Sequence, residues 1–234
     1  MRRLLKVKDA LSQMVIGHQW GVWKISNSER AQRIRDLILN ESWWARVAYV
    51  LDFIEPIMTM LHFADTDTPC LGDVYDGMDT MVEKVKHSIQ AHESDPTQCE
   101  ALCKQVQAII HHRSNKMTNP LHLLAYVLSP RYYSEEVLSM PGRVAPFADE
   151  EVAEGCHKAL TSLFPLEEMH EKVREEFRLL ASGLRHSPFA LKDQNRLGAI
   201  TWWYMYGQPF RHLQPLAIKV LSQVSFLFCF VNLF

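Results

Sequence analysis

Apolar residues return at intervals of three and four through most of this chain, which is the period of an α-helix. Pro56 lies inside the clearest such segment and removes a backbone donor, so we expect a kink there. Similar stripes predict helices over Val74–Ile89, Glu151–Leu163 and Leu166–Ala181. In the clearest segment, Ser42–Phe63, one stripe is formed by Trp44, Val47, Leu51, Ile54, Met58 and Leu61.

Proline pairs mark where several helices begin and end. Asp95-Pro96 and Asn119-Pro120 each combine an N-cap residue with proline at the first helical position, so both predict helix starts. Ser129-Pro130 predicts a stop. The Pro- and Gly-containing stretch Ser139–Pro146 is the clearest loop and the best internal boundary. Ile200–Tyr206 is the one weak strand candidate, so the predicted fold class is mainly α.

Composition places the chain among ordinary globular proteins and weighs against a strong nucleic-acid footprint. Of 234 residues, 47% are hydrophobic and 22% are charged, which is close to the globular average. The net charge of −2 shows no overall basic excess, so residual DNA association stays an open possibility that charge does not support. Five cysteines, loosely spaced and without a secretory signal, are typical of reduced intracellular thiols.

Several polar clusters invite a functional interpretation but fit a structural one better. Five aspartates between Asp65 and Asp79 form an acidic run. Their spacing does not match that of a calcium-binding loop, so we expect a solvated turn and helix start. Cys99 and Cys103 lie too far along one helix from His111 and His112 to share a zinc ion. His122 is interpreted as a histidine at the edge of the core. The acidic run consists of Asp65, Asp67, Asp73, Asp76 and Asp79.

A glutamate-rich helix is predicted to carry a charged outer face rather than catalytic carboxylates. Glu168 and Lys172 are spaced to form an i, i+4 pair on it. Gly-rich phosphate loops, nucleophile elbows and Cys/His nucleophile pairs are missing from the sequence, so no catalytic, metal or cofactor site is predicted. The acidic residues of this helix are Glu167, Glu168, Glu171, Glu175 and Glu176.

Three blocks of sequence together resemble one known family. The first comprises Trp43-Trp44, Glu55-Pro56-Ile57-Met58, Asp65-Thr66-Asp67 and the Cys70–Asp79 stretch CLGDVYDGMD. The second is the Asn115–Tyr133 stretch NKMTNPLHLLAYVLSPRYY. The third is WWYMYG from Trp202 to Gly207, followed by the apolar helix Leu213–Ser225. Their order and spacing over about residues 20–225 resemble plant-type proteins derived from hAT-superfamily (hobo and Activator class) transposases.

This resemblance implies a particular fold and domain organisation. The family has an RNase H-like core with a large helical domain inserted before its last catalytic carboxylate. The chain is similar to that helical insertion, with only a remnant of the α/β core near the C-terminus. We therefore expect a helical region over 1–140, a loop and further helices of the same domain over 141–198, a truncated dimerisation segment over 199–225 and an aberrant apolar tail over 226–234.

The resemblance also implies that the chain is not an enzyme. The family's two catalytic Asp and its Glu hold two divalent metals, and none of the three falls within the matching blocks. We expect a non-catalytic, nuclear remnant of a transposase, a domesticated fragment without cofactor. Its expected partner is another copy or a related transposase-like protein. The first alternative is a part of an active DNA transposase whose carboxylates lie outside this chain.

The C-terminal block supplies the candidate interface. The Trp pair is interpreted either as an interface hot spot or as a core anchor, and these two alternatives stay open. The apolar stripe of the helix that follows can pack against a partner or within the domain. The eight candidate interface residues are Trp202, Trp203, Leu213, Leu216, Ala217, Val220, Leu221 and Val224.

The tail gives a second alternative, a tail-anchored membrane protein. Leu216–Phe234 spans 19 residues, near the lower limit for crossing a bilayer. Polar residues interrupt it at Lys219, Gln223 and Asn232, so no membrane association is expected.

Overall fold

The computed structural model describes residues 2–24, 28–117, 119–182 and 187–224, without the side chains of 23–24 and 114–117. Helices dominate these ranges and no strand forms within them, which confirms the mainly α prediction. Ser225 and the apolar tail, Phe226–Phe234, lie outside the described residues. The helices are α1 (Arg2–Lys6), α2 (Lys8–Ile16), α3 (His18–Lys24), α4 (Ser28–Ile38), α5 (Glu41–Ala64), α6 (Val74–His92), α7 (Pro96–Met117), α8 (Pro120–Val127), α9 (Glu135–Leu138), α10 (Glu150–Leu163), α11 (Glu167–Ser182), α12 (Pro188–Lys192), α13 (Ala199–Tyr206) and α14 (Leu213–Leu221).

The weak strand candidate Ile200–Tyr206 is helical. It forms most of α13, because its large residues Trp202, Trp203 and Tyr206 fall on one side at helical spacing. Aromatic and β-branched residues favour strands, but the packing of this one face decides the structure. The region around Pro188 forms the short helix α12.

Both predicted helix starts, at Asp95 and at Asn119, are confirmed. The Asp95 carboxylate accepts from the backbone N–H of Thr97 at 2.9 Å. The Asn119 side chain accepts from the N–H groups of Leu121 and His122, while His122 accepts from the N–H of Asn119, a reciprocal capping box.

The chain forms two compact units. Unit 1 contains residues 1–59 and 83–105, and unit 2 contains 60–82 and 106–234. The loop at Ser139–Pro146 therefore lies inside unit 2 and does not separate two units. Helices α5, α6 and α7 each contribute residues to both units.

Unit 1 has a small core around Trp44. The Trp44 indole is 2% exposed and donates to the carbonyl of Ile38 at 2.7 Å. Lys8 pairs with Glu41 at 2.6 Å, which links α2 to the start of α5. The other fully buried apolar side chains of this unit are Val15, Ala31, Val85 and Ile89.

Helix α5 is less buried than its stripe predicted. Of the six stripe residues only Trp44 is fully buried, and Met58 is 41% exposed. Pro56 lies inside the helix, which continues on both sides of it. By length and composition alone α5 could cross a membrane, and only 11% of its most apolar window is buried. Core helices of soluble proteins pass the same test, so this is weak evidence for a span.

Unit 2 is built around α8, which is apolar on every side. A helix of this kind is stable only when other elements cover all of it. All residues from His122 to Val127 are buried, with α10, α14 and the 3-10 helix Leu71–Asp73 packed around them. Helix α11 adds Val173, Phe177 and Leu180 to this core.

Two residues expected on inner faces are exposed. Leu166 is 74% exposed, because α11 begins one residue after it. Ile109 is 63% exposed while its neighbour Ile110 is buried. Successive side chains of a helix point about 100° apart, so one of them can face solvent while the next faces the core.

Candidate functional site

The eight candidate interface residues lie in the core of unit 2. Trp202 and Trp203 are wholly buried and pack edge to face at 5.4 Å. Their indole N–H groups donate to the carbonyls of Ala190 at 2.9 Å and Leu128 at 2.7 Å. Val224 is half-buried. The other five are buried: Leu213, Leu216, Ala217, Val220 and Leu221.

This burial favours the core alternative for the tryptophan pair. Each indole fills the interior and satisfies its one donor within the chain, so neither side chain is accessible to a partner while unit 2 stays folded. The stripe of α14 is likewise covered, since its buried residues belong to the same apolar cluster as α8. A partner surface at this end of the chain must therefore use other side chains.

The first and second resemblance blocks meet at Gly72. A side-chain carbon at this position would lie 2.4 Å from the Ser129 hydroxyl and 3.0 Å from the Ala125 carbonyl. Ser129 is buried and donates to that same carbonyl at 2.9 Å. Glycine is therefore required here because α8 and the 3-10 helix approach too closely for any side chain.

Next to this contact, charged residues of the same two blocks form a network. The Tyr132 hydroxyl donates to the Asp73 carboxylate at 3.0 Å and accepts from Arg131 at 2.7 Å. Arg131 also lies 3.3 Å from Asp73 and 3.5 Å from Asp76, and Arg143 pairs with Asp76. The bond between Tyr132 and Asp73 joins residues 59 positions apart, so the network helps to fix the packing of unit 2.

The surroundings of this network raise the pKa values of two tyrosine hydroxyls. Burial, followed by the negative charge of Asp73, raises the pKa of Tyr132. Burial likewise raises the pKa of Tyr126, to about 12. Both hydroxyls therefore stay protonated at neutral pH and serve as hydrogen-bond groups. The solvated-turn expectation is correct for Asp65 and Asp67, which are exposed, and wrong for Asp73 and Asp76, which are ion-paired.

A cavity of about 450 Å³ opens beside the network. Its lining combines the Asp73 and Arg131 side chains with the segment from Gln194 to Thr201. The guanidinium of Arg131 is already engaged by carboxylates, so the cavity offers no free charge for a ligand from this residue.

His122 has the structural role that the sequence indicated. It is 6% exposed, and its Nδ1 accepts from the Asn119 N–H at 3.1 Å. Burial lowers the pKa of His122 to about 4, so the ring is neutral at physiological pH. Since the Nδ1 lone pair is used by the cap, His122 is not a free base.

The outward side of α12 and α13 carries the exposed apolar residues of this region. On α13, Tyr204 is 62% and Met205 is 56% exposed, although the residues just before them are wholly buried. On α12, Phe189 is 71% and Leu191 is 48% exposed. We call these four side chains the outer α12–α13 surface.

Hydrogen bonds hold these two short helices together. The Trp202 indole bonds to Ala190 of α12, and the Tyr206 hydroxyl donates to the Asp193 carboxylate at 2.6 Å. Hydrogen-bonded residues next to them on the same two helices therefore position the four residues of the outer α12–α13 surface. Sequence reasoning missed this surface because it considered only the tryptophan pair and the apolar stripe of the helix that follows.

The remaining sequence candidates stay apart from this region. Cys99 and Cys103 are half-buried and His111 and His112 are exposed on α7. Among the glutamates of α11, Glu176 is buried, whereas the others are exposed. The Glu176 carboxylate accepts from the backbone N–H groups of His212 and Leu213, at 2.9 and 2.7 Å, and so caps the start of α14.

No known protein family, curated protein or solved structure matches this chain. Membership of the hAT superfamily is therefore supported by the sequence motifs alone and stays a prediction.

Proposed function

We propose that this chain is a non-catalytic helical protein-association module derived from a hAT-type transposase, acting in the nucleus. Its partner in this proposal is a second copy of the chain. The observation that carries the proposal is the outer α12–α13 surface. Two of its four large apolar side chains, Tyr204 and Met205, lie on the block that resembles the family's dimerisation segment, and the other two lie on α12.

The packing of the three resemblance blocks supports the family part of the proposal. Gly72 of the first block contacts Ser129 of the second, and Trp203 of the third donates to Leu128 of the second. The parts of the three blocks that lie in unit 2 therefore pack into one helical core, while Trp43-Trp44 and Glu55–Met58 of the first block lie in unit 1. In the proposal this core corresponds to the helical insertion of the RNase H-like transposases, with a remnant of the α/β core near α13 and α14.

The charge network supports the non-catalytic part. Two-metal phosphoryl transfer needs carboxylates that are free to coordinate divalent cations. Two carboxylates of the first resemblance block, Asp73 and Asp76, are instead ion-paired with Arg131 and Arg143. Incubation of the purified chain with DNA and Mg²⁺ or Mn²⁺ should give neither cleavage nor strand transfer. Metal-dependent cleavage would contradict the proposal and favour the alternative of a part of an active transposase.

The chemistry of the outer α12–α13 surface suits self-association. Tyr, Phe and Met are enriched at protein interfaces because they bury a large area with few rotatable bonds or with adaptable shape. A net charge of −2 gives little repulsion between two copies. Because the surface rests on the buried tryptophan pair, its side chains are held in place before a partner arrives.

Sedimentation equilibrium across micromolar concentrations tests the association. The wild-type chain should show a concentration-dependent dimer, and Tyr204→Ser combined with Met205→Ser should shift it to monomer. Met140→Ser combined with Val144→Ser is the matched control, since these side chains are 49% and 52% exposed in the same unit. A strictly monomeric wild type, or equal dissociation in both double variants, would contradict the proposal.

A further inference from the structure

We propose that the facing sides of α10 and α11 form a site for one divalent transition-metal ion of the zinc type. Glu167, His170 and Glu171 of α11 supply three ligands and His157 of α10 supplies the fourth. The site is separate from the outer α12–α13 surface and does not depend on the association proposed above.

Three of the ligands lie on one face at the start of α11. Their spacing of i, i+3 and i+4 places side chains together on a helix. One ligand atom from each of Glu167, His170 and Glu171 lies within 4.8 Å of the other two. Zinc bonds of about 2.0–2.2 Å place tetrahedral ligand atoms roughly 3.4 Å apart. Small rotations of the two exposed glutamates therefore suffice to close the set around one ion.

The buried imidazole of His170 is the independent sign of a missing ligand. The ring is only 7% exposed, and its Nε2 atom has no hydrogen-bond partner among the residues that the structure describes. A buried polar atom without a partner costs about 1–3 kcal/mol. A bond from the imidazole to a metal explains why this polar ring occupies an inner position of α11.

His157 brings a second imidazole from the neighbouring helix. Its ring centroid lies 5.6 Å from that of His170, with the planes tilted by 36°. Two imidazoles on one tetrahedral zinc place their centroids roughly 5 Å apart. His157 is exposed and lines, with Glu171, a groove of about 730 Å³ between the two helices. Two of the four proposed ligands therefore face a groove that is open to solvent.

Two features oppose metal binding, and both are weak. Glu171 is paired with Arg174 at 3.0 Å, but both side chains are about half exposed, so the pair contributes little. The N-terminus of α11 disfavours a cation by its dipole, typically by 0.3–1 kcal/mol, which two carboxylates at that terminus offset. The other exposed glutamates of the helix are engaged elsewhere, Glu168 with Lys172 and Glu175 with Arg178.

Metal titration of the purified full-length chain, kept reduced, tests the site. Zn²⁺ competition with a chromophoric chelator should show one equivalent bound, and Co²⁺ should give the visible absorption of a four-coordinate ion. Glu167→Gln combined with Glu171→Gln should lower the Zn²⁺ affinity about tenfold or more. These two side chains are exposed, so the fold should survive, which circular dichroism verifies.

A charge-matched variant distinguishes coordination of the metal ion from nonspecific electrostatic attraction of a cation to the acidic helix. Glu168→Gln combined with Glu175→Gln removes the same charge from the same helix and should leave Zn²⁺ binding unchanged. His157→Asn should abolish the four-coordinate Co²⁺ spectrum, and an unchanged spectrum would remove His157 from the site. The whole proposal fails if the wild type binds no Zn²⁺, or if both glutamate double variants bind it equally well.

Discussion

Helices α5 and α8 are both strongly apolar, yet their surroundings differ. In α8 every residue from His122 to Val127 is buried, and the helix is the centre of unit 2. In the most apolar window of α5 only 11% of the residues are buried. Unit 2 contains one continuous apolar cluster that includes both C-terminal tryptophans, whereas unit 1 has five fully buried apolar residues in its described part. Hydrophobic composition alone therefore does not determine which helix becomes a core helix.

This difference has a consequence for stability. Most helical stability in proteins comes from packing of an apolar face, at roughly 25 cal/mol per Å² of apolar area removed from water. Unit 2 also satisfies its buried polar groups internally, as the indoles of Trp202 and Trp203 show. We expect backbone amides of unit 1 to exchange with solvent through openings of lower free energy than those of unit 2.

Truncation of one buried tryptophan in each unit tests this comparison most strongly. Trp203→Ala should lower the free energy of unfolding by about 3–5 kcal/mol, because it leaves a cavity and deprives the Leu128 carbonyl of its donor. Trp44→Ala should cost less, since the sparse surroundings of this residue can collapse more easily. Urea unfolding followed by hydrogen exchange for each helix measures both effects.

Met140→Ala is the control at an exposed position of unit 2 away from the outer α12–α13 surface, and it should change the free energy of unfolding by no more than about 0.5 kcal/mol. A larger loss for Trp44→Ala than for Trp203→Ala would reverse the assignment of the stronger core to unit 2.

Lowering the pH should decrease the stability of unit 2, because His122 is neutral when buried and becomes protonated on unfolding. The pKa of this histidine is lowered to about 4 by burial, whereas in the unfolded chain it is about 6.5. Between these values the unfolded state binds more protons, so stability is complete above about pH 6.5 and falls as the pH drops towards 4. The loss approaches roughly 3 kcal/mol, from about 1.4 kcal/mol per pKa unit.

His122→Gln isolates this contribution. The variant should lose the pH slope between 6.5 and 4 in urea unfolding, whatever its stability at neutral pH. A slope equal to that of the wild type would show that carboxylates, not His122, dominate the acid response.

Local signals in the sequence predicted much of the fold. The caps at Asp95 and Asn119 were predicted because a side-chain acceptor followed by proline is a short-range signal. The stripe of α6 was also correct, since Val74, Val85 and Ile89 are buried. The strand candidate at α13 was wrong, because aromatic residues favour strands until tertiary packing selects the helical period. The limits of the two units depend on which helices contact one another, and short-range signals do not contain that information.

The candidate sites were harder to predict for the same reason. A tryptophan pair has the same sequence signature in a core and at an interface, so only burial separated Trp202 and Trp203 from the exposed Tyr204. The proposed metal ligands on α11 have a spacing that could have been noticed, but His157 comes from another helix. No local pattern connects it to His170, and the unpartnered imidazole nitrogen is visible only in the folded chain.

The smallest effects are expected at the two proline-led helix starts, one of which lies in each unit. Asn119 caps α8 with bonds to two backbone N–H groups and a return bond to His122, while Asp95 caps α7 with a bond to Thr97. Asn119→Ala should therefore cost about 1–2 kcal/mol and Asp95→Ala about 0.5–1 kcal/mol in the free energy of unfolding. Hydrogen exchange of the first turn of each helix should localise the loss to the altered end. Equal losses at both caps would mean that the second backbone N–H group bonded by the Asn119 side chain adds nothing to unit 2.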